Sequence, residues 1–154
     1  IIGILAAVGV VAYNGYTASA KVSAAKANFK LVTNYMASEI IKCSTGETSI
    51  MNSSVNCNSL NQSTVYDGVF YVMNGYDHNG SLPKTSRIIS NPYGKVSRAG
   101  DTDYGFWSGS AATDDGAIGF VRYSASNNEA WLRMCFKLPC SDTNNQLLSK
   151  IKIE

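Results

Sequence analysis

The sequence predicts an α+β protein in which a long N-terminal α-helix packs on a roughly four-stranded antiparallel β-sheet. Three observations lead to this prediction. Residues 1–42 contain no proline and show apolar residues at helical spacing. Short segments rich in β-branched and aromatic residues follow, but only after residue 68. A helix followed by consecutive strands with short links is the order of an α+β fold.

The first part of the predicted helix is uncharged. Residues 1–13 would rise only about 20 Å as a helix, which is too short for a bilayer core of about 30 Å. A signal peptide would have that length, but a basic start and a cleavage site are missing. We therefore expect the natural chain to begin further upstream, with about ten more apolar residues completing a membrane span. An uncharged helix of this kind is buried on all sides, either in lipid or in a bundle of helices. In a bundle, the side chains that we expect to form the assembly core are Ile1, Ile2, Ile4, Leu5, Val8, Val11, Tyr13 and Tyr16.

The second part of the helix is amphipathic. Its apolar residues recur at steps of three or four, which places them on one helix face. The residues expected to pack on the sheet are Val22, Ala25, Phe29, Val32, Met36 and Ile40. The sequence thus divides into a helix over 1–42 and a globular head over 43–154. Within the helix, 1–20 is the protruding apolar part and 21–42 is the packed part.

The head begins with residues 43–68, which are rich in Ser, Asn and Thr and are expected to form a loop between helix and sheet. Four strands are expected after it. They are residues 69–73, 104–107, 117–123 and 130–137. The last residues, 142–154, are expected to form an extension beyond a small loop that Cys135 and Cys140 would enclose.

The four cysteines predict disulfide bonds and a location outside the reducing cytosol. No two of them have the Cys-x2-Cys spacing of a zinc site, and His78 is the single histidine. Four cysteines allow three pairings, and the sequence leaves all three open. Disulfide bonds that close short loops would join cysteines close in sequence, which favours Cys43 with Cys57 and Cys135 with Cys140.

The net charge and the motifs of the chain argue against several classes of function. The net charge of +2 is too small to indicate nucleic acid as the main partner. We expect no enzyme activity, because the chain lacks a Gly-x-Ser-x-Gly elbow, a phosphate-binding Gly-rich loop and any two-histidine metal motif. We also expect no cofactor. A calcium site is possible but not favoured, because its candidate ligands are explained better as solvated residues in turns. Those ligands are Asp101, Asp103, Asp114 and Asp115.

The N-terminal residues resemble a known family. The run IIGILAAV at 1–8, followed by AYNGYTASAK at 12–21, is similar to the N-terminal helix of bacterial type IV pilins. The resemblance covers about the first 30 residues. In that family a short stretch with a methylated Phe and a Glu, made by prepilin peptidase, precedes this run. Val11 stands where many relatives have a proline, and Gly9 where Ala is common.

The resemblance implies the same layout of helix on sheet, the pilin fold, and a structural subunit of an extracellular type IV pilus filament, with adhesion, motility or DNA uptake as downstream roles. It implies identical subunits as partners, an inner-membrane anchor before assembly, pilus assembly machinery and no specific nucleic acid. It also implies a C-terminal loop closed by a disulfide, which Cys135 and Cys140 would form. Two alternatives remain open. One is a pseudopilin of type II secretion, a class that often binds calcium, and the other is a membrane-anchored extracellular binding domain.

Overall fold

The fold is α+β and begins with one long helix, as the sequence predicts. A computed structural model of the chain describes residues 2–75, 88–94, 106–107, 116–121 and 128–153. Helix α1 runs from Ile2 to Ser44, about 65 Å at 1.5 Å per residue. It ends where Gly46 takes a φ of 103°, a conformation that favours glycine.

Two small sheets and a second helix follow α1. In chain order these elements are β1 (Ser49–Ile50), β2 (Val55–Asn56), α2 (Gln62–Asn74), β3 (Phe106–Trp107), β4 (Ile118–Phe120), β5 (Glu129–Cys135) and β6 (Gln146–Lys152). Strands β1 and β2 form an antiparallel hairpin. The second sheet has the order β3-β4-β5-β6. Short 3-10 turns precede α2 and β6, over Cys57–Ser59 and Thr143–Asn145.

The second sheet is antiparallel only in part, which corrects the expectation of four antiparallel strands. Strands β4, β5 and β6 form an antiparallel meander, in which β5 and β6 pair along seven residues each. Strand β3 instead runs parallel to β4, with Phe106 opposite Ile118. A ladder of two residues is too short for the sequence to show its direction.

Residues 69–73 were expected to form a strand, and this prediction is wrong, because they lie in helix α2. The Asn61 side chain caps the helix by accepting hydrogen bonds from the backbone N–H groups of Ser63 and Thr64, at 2.9 and 3.1 Å. Gly75 ends it in the left-handed conformation, with a φ of 71°. The buried side chains of the helix recur at helical spacing. They include Val65, Val69, Val72 and Met73.

Two further expectations are corrected. Residues 43–68 are not a plain loop, since they contain β1, β2 and the first half of α2. Residues 142–154 follow the Cys135–Cys140 loop as expected, but they are more than an extension, because Gln146–Lys152 is strand β6, paired with the whole of β5. β6 lies at the edge of the sheet, and two of its seven residues are lysines. Lysine on an edge strand discourages pairing with other chains.

Both disulfide pairings expected from local closure are confirmed. Cys43 is bonded to Cys57 and Cys135 to Cys140, each with Cα atoms 5.4 Å apart. The first bond ties the end of α1 to the residue after β2. The second closes a small loop directly after β5. The core between the helices and the sheet is apolar and includes Met36, Val69 and Leu132.

Gly68 allows α2 to approach the β1–β2 hairpin closely. A Cβ atom at this position would overlap Val55 Cγ2 and lie 2.7 Å from Met51 Sδ. We expect Gly68→Ala to lower the free energy of unfolding by about 1–2 kcal/mol, because overpacking outweighs alanine's better helix propensity. Gly15→Ala is the control, since its added Cβ would have no atom within 4 Å apart from its chain neighbours and the nearby backbone of its own helix. Urea titration of both variants checks this, and a Gly68→Ala variant as stable as the parent would contradict it.

Candidate functional site

The second half of α1 is held against the head by its apolar face. Five of the six residues expected to pack on the sheet are buried, and Val22 is half-buried. The five buried residues are Ala25, Phe29, Val32, Met36 and Ile40, and all belong to the core. The periodic face of the sequence therefore corresponds to the face that meets the head.

The first half of α1 has a different environment. Four large apolar side chains between residues 10 and 16 are exposed, and we call them the helix patch. They are Val10, Val11, Tyr13 and Tyr16, with exposed fractions of 60, 73, 68 and 75%. Monomeric soluble proteins seldom leave a contiguous apolar surface open unless it binds something. Of the other expected core residues, Ile2, Ile4, Leu5 and Val8 lie in α1 but their side chains are outside the description, as is the whole of Ile1.

Polar and cationic side chains in the middle of α1 also contact the head. Its Nζ atom lies 5.9 Å from the centre of the Tyr93 ring, and Lys26 Nζ lies 4.1 Å from that of Phe136. Asn28 Nδ2 donates a hydrogen bond of 2.9 Å to the backbone oxygen of Ser90. The sequence did not indicate these contacts, because partners 60 residues or more away leave no local signal. They add to the attachment of this stretch of α1 to the head.

A buried carboxylate joins α1 to the β1–β2 hairpin. Glu39 is 6% exposed, accepts a 2.6 Å hydrogen bond from the Met51 backbone N–H, and pairs with Lys42. Met51, Asn52 and Ser53 all have positive φ angles, between 54 and 63°, so the bond holds the first residue of a left-handed turn. Burial, with a smaller contribution from Glu39, raises the pKa of Tyr35 to about 12. The Tyr35 hydroxyl is therefore neutral at pH 7.

The predicted calcium ligands and His78 lie outside the described residues, so the calcium prediction stays a prediction. Among the residues that the structure does describe, no group of three or more His, Cys, Asp or Glu could hold a metal ion. None of the helices in that part of the chain combines the length and the apolar character that crossing a membrane requires.

No protein-family model, curated protein or solved structure matches this chain. The resemblance to type IV pilins therefore depends on the residue order at 1–8 and 12–21. The helix patch lies within or beside those same residues. It is the candidate functional site.

Proposed function

We propose that this chain is the structural subunit of an extracellular type IV pilus filament, which assembles through the first half of α1. The observation that supports this proposal is the unequal exposure of one helix. Val11 is 73% exposed in the first half, whereas Val32 is fully buried in the second. The first half thus presents apolar side chains that the subunit itself leaves uncovered.

The physical driving force for assembly is the burial of the helix patch among the same helices of neighbouring subunits. Each large side chain supplies about 1.5–3 kcal/mol on full burial, so four would supply about 6–12 kcal/mol per subunit before the entropy cost of association. Residues 1–20 contain no charged side chain, and a helix bundle would therefore leave no unpaired charge inside. The disulfide-bonded head would remain on the outside of the filament.

The proposal includes the steps before and after assembly. Before assembly, the apolar helix would anchor the subunit in the inner membrane. The subunit would then pass to the pilus assembly machinery. The finished filament would serve adhesion, motility or DNA uptake. A type II secretion pseudopilin would use the same helix, but it would not form abundant long surface filaments. A membrane-anchored binding domain would keep its helix in the lipid.

The filament proposal is tested on cell-surface material. We expect sheared filaments to contain this polypeptide as their main component by mass spectrometry. A variant that begins at Ala20 lacks the helix patch and should be a folded monomer that does not polymerise. Filaments that lack the polypeptide, or polymers formed by the shortened chain, would overturn the proposal.

A further inference from the structure

The second sheet has a groove on the face that points away from the core. Its volume is about 330 Å³, near the lower end for ligand pockets. Residues 130, 132 and 134 of β5 are buried in the core, so the alternating residues 129, 131 and 133 lie on the opposite face. We call this feature the sheet groove. It is lined by Val121, Trp131, Arg133, Thr143, Gln146 and Leu148.

Trp131 is held in place on this face from two sides. Its indole Nε1 donates a hydrogen bond of 2.9 Å to Glu129 Oε2. Lys150, its cross-strand partner on β6, places Nζ 3.8 Å from the ring centre. A side chain that is ordered before binding loses little conformational entropy on binding. The indole is therefore a preorganised wall of the sheet groove.

The guanidinium of Arg133 is not neutralised by an ion pair with any described residue. Its Nε atom is shielded from solvent without a hydrogen-bond acceptor. A buried donor without an acceptor is destabilising, and more so when it is charged. The planar guanidinium matches a carboxylate, which accepts two parallel hydrogen bonds from it. A ligand with a carboxylate would supply the acceptor that Arg133 lacks.

The other lining residues indicate what surrounds that carboxylate. Val121, Trp131 and Leu148 are apolar, and the amide nitrogen of Gln146 already donates to the Cys140 backbone oxygen. A sugar has hydroxyl groups on several sides and would find few partners here, whereas an apolar peptide side chain needs none. Among the described residues of strands β5 and β6, the outer face carries the cations Arg133 and Lys150 beside the carboxylate of Glu129, which already accepts the Trp131 hydrogen bond.

We propose that the sheet groove binds an acidic peptide segment. The carboxylate of its Asp or Glu residue lies on Arg133, and a neighbouring apolar side chain packs against Trp131 and Leu148. The groove is separate from the helix patch, so this binding does not depend on filament formation.

The test titrates the 15N-labelled chain with N-acetyl-Leu-Glu-Leu-amide and with its Gln counterpart, and follows the Trp131 indole and Arg133 Nε–H signals by NMR. We expect the Glu peptide to shift both signals and to bind about tenfold to a hundredfold more tightly than the Gln peptide. Arg133→Gln should weaken binding of the Glu peptide by the same factor, so that the two peptides bind with equal affinity. Lys137→Gln, an exposed cation outside the groove, should change affinity less than twofold.

Equal affinity of the two peptides on the unmodified chain would overturn the proposal, and so would shifts confined to other surfaces. Tighter binding of glucuronate than of the Glu peptide would also overturn it, because the ligand would then be an acidic sugar. The comparison of the two peptides needs no variant. It therefore decides the question even if Arg133→Gln fails to fold.

Discussion

Val11→Asp should abolish filament assembly and leave the stability of the head unchanged. In the proposed helix bundle, Val11 passes from 73% exposed in the free subunit to buried. The substitution removes about 1.5–3 kcal/mol of apolar burial and places an unpaired carboxylate in the bundle at a cost of several kcal/mol. A total of about 4 kcal/mol or more per subunit weakens each association step by roughly a thousandfold or more. Filament yield, measured by electron microscopy of sheared material, should fall below detection.

Two matched variants make this test specific. Val11→Leu keeps an apolar side chain and should assemble as the parent does. Ala27→Asp puts the same charge on an exposed position of the same helix, beyond the residues expected in the bundle, and should also assemble. The shortened chain and each full-length variant should have the same melting temperature. Normal filaments from Val11→Asp would show that the helix patch is not the assembly core.

The sequence predicted the parts of the fold that depend on local periodicity. Helix α1 was predictable because proline is absent and because residues from Ala25 to Ile40 follow a helical spacing. Strand β5 was predictable because buried Ala130, Leu132 and Met134 alternate with half-buried residues. The disulfides followed from the short separations between their cysteines. In each case neighbours along the chain determine the structure.

Helix α2 was missed because its local composition favours a strand. Residues 69–72 are Val, Phe, Tyr and Val, all with high β propensity. What decides the helix is the cap at Asn61 eight residues earlier and the close packing of Gly68 on the hairpin. Strand β6 was missed for a related reason. Its pairing with β5 depends on a partner strand, and its own residues alternate weakly between half-buried and exposed.

The candidate sites were predictable to different degrees. The helix patch followed from an uncharged run of residues, which is visible in the sequence. The sheet groove was not visible, because it depends on the register that places Trp131 opposite Lys150 and Arg133 opposite Leu148. The register could not be assigned from the sequence, because β6 was not recognised there as a strand.

The two disulfides should stabilise the head unequally. The bond between Cys43 and Cys57 spans 14 residues of sequence and that between Cys135 and Cys140 spans 5. Loop-closure entropy in the unfolded chain gives about 3 kcal/mol for the longer loop and about 2 kcal/mol for the shorter. We therefore expect Cys43→Ala/Cys57→Ala to lower the free energy of unfolding by about 3 kcal/mol. The measurement is a urea titration in which the free energy of unfolding and the m-value are fitted together.

Cys135→Ala/Cys140→Ala is the matched control, because alanine in both pairs avoids placing a polar hydroxyl at buried Cys135. It should lower the free energy of unfolding by about 2 kcal/mol. The longer loop also encloses Met51, whose N–H binds Glu39, so losing its disulfide also loosens the attachment of the hairpin to α1. This adds to the entropy difference in the same direction. A larger loss from the 135–140 pair would show that packing of the small loop in the folded state, rather than chain entropy in the unfolded state, sets the contribution of these bonds.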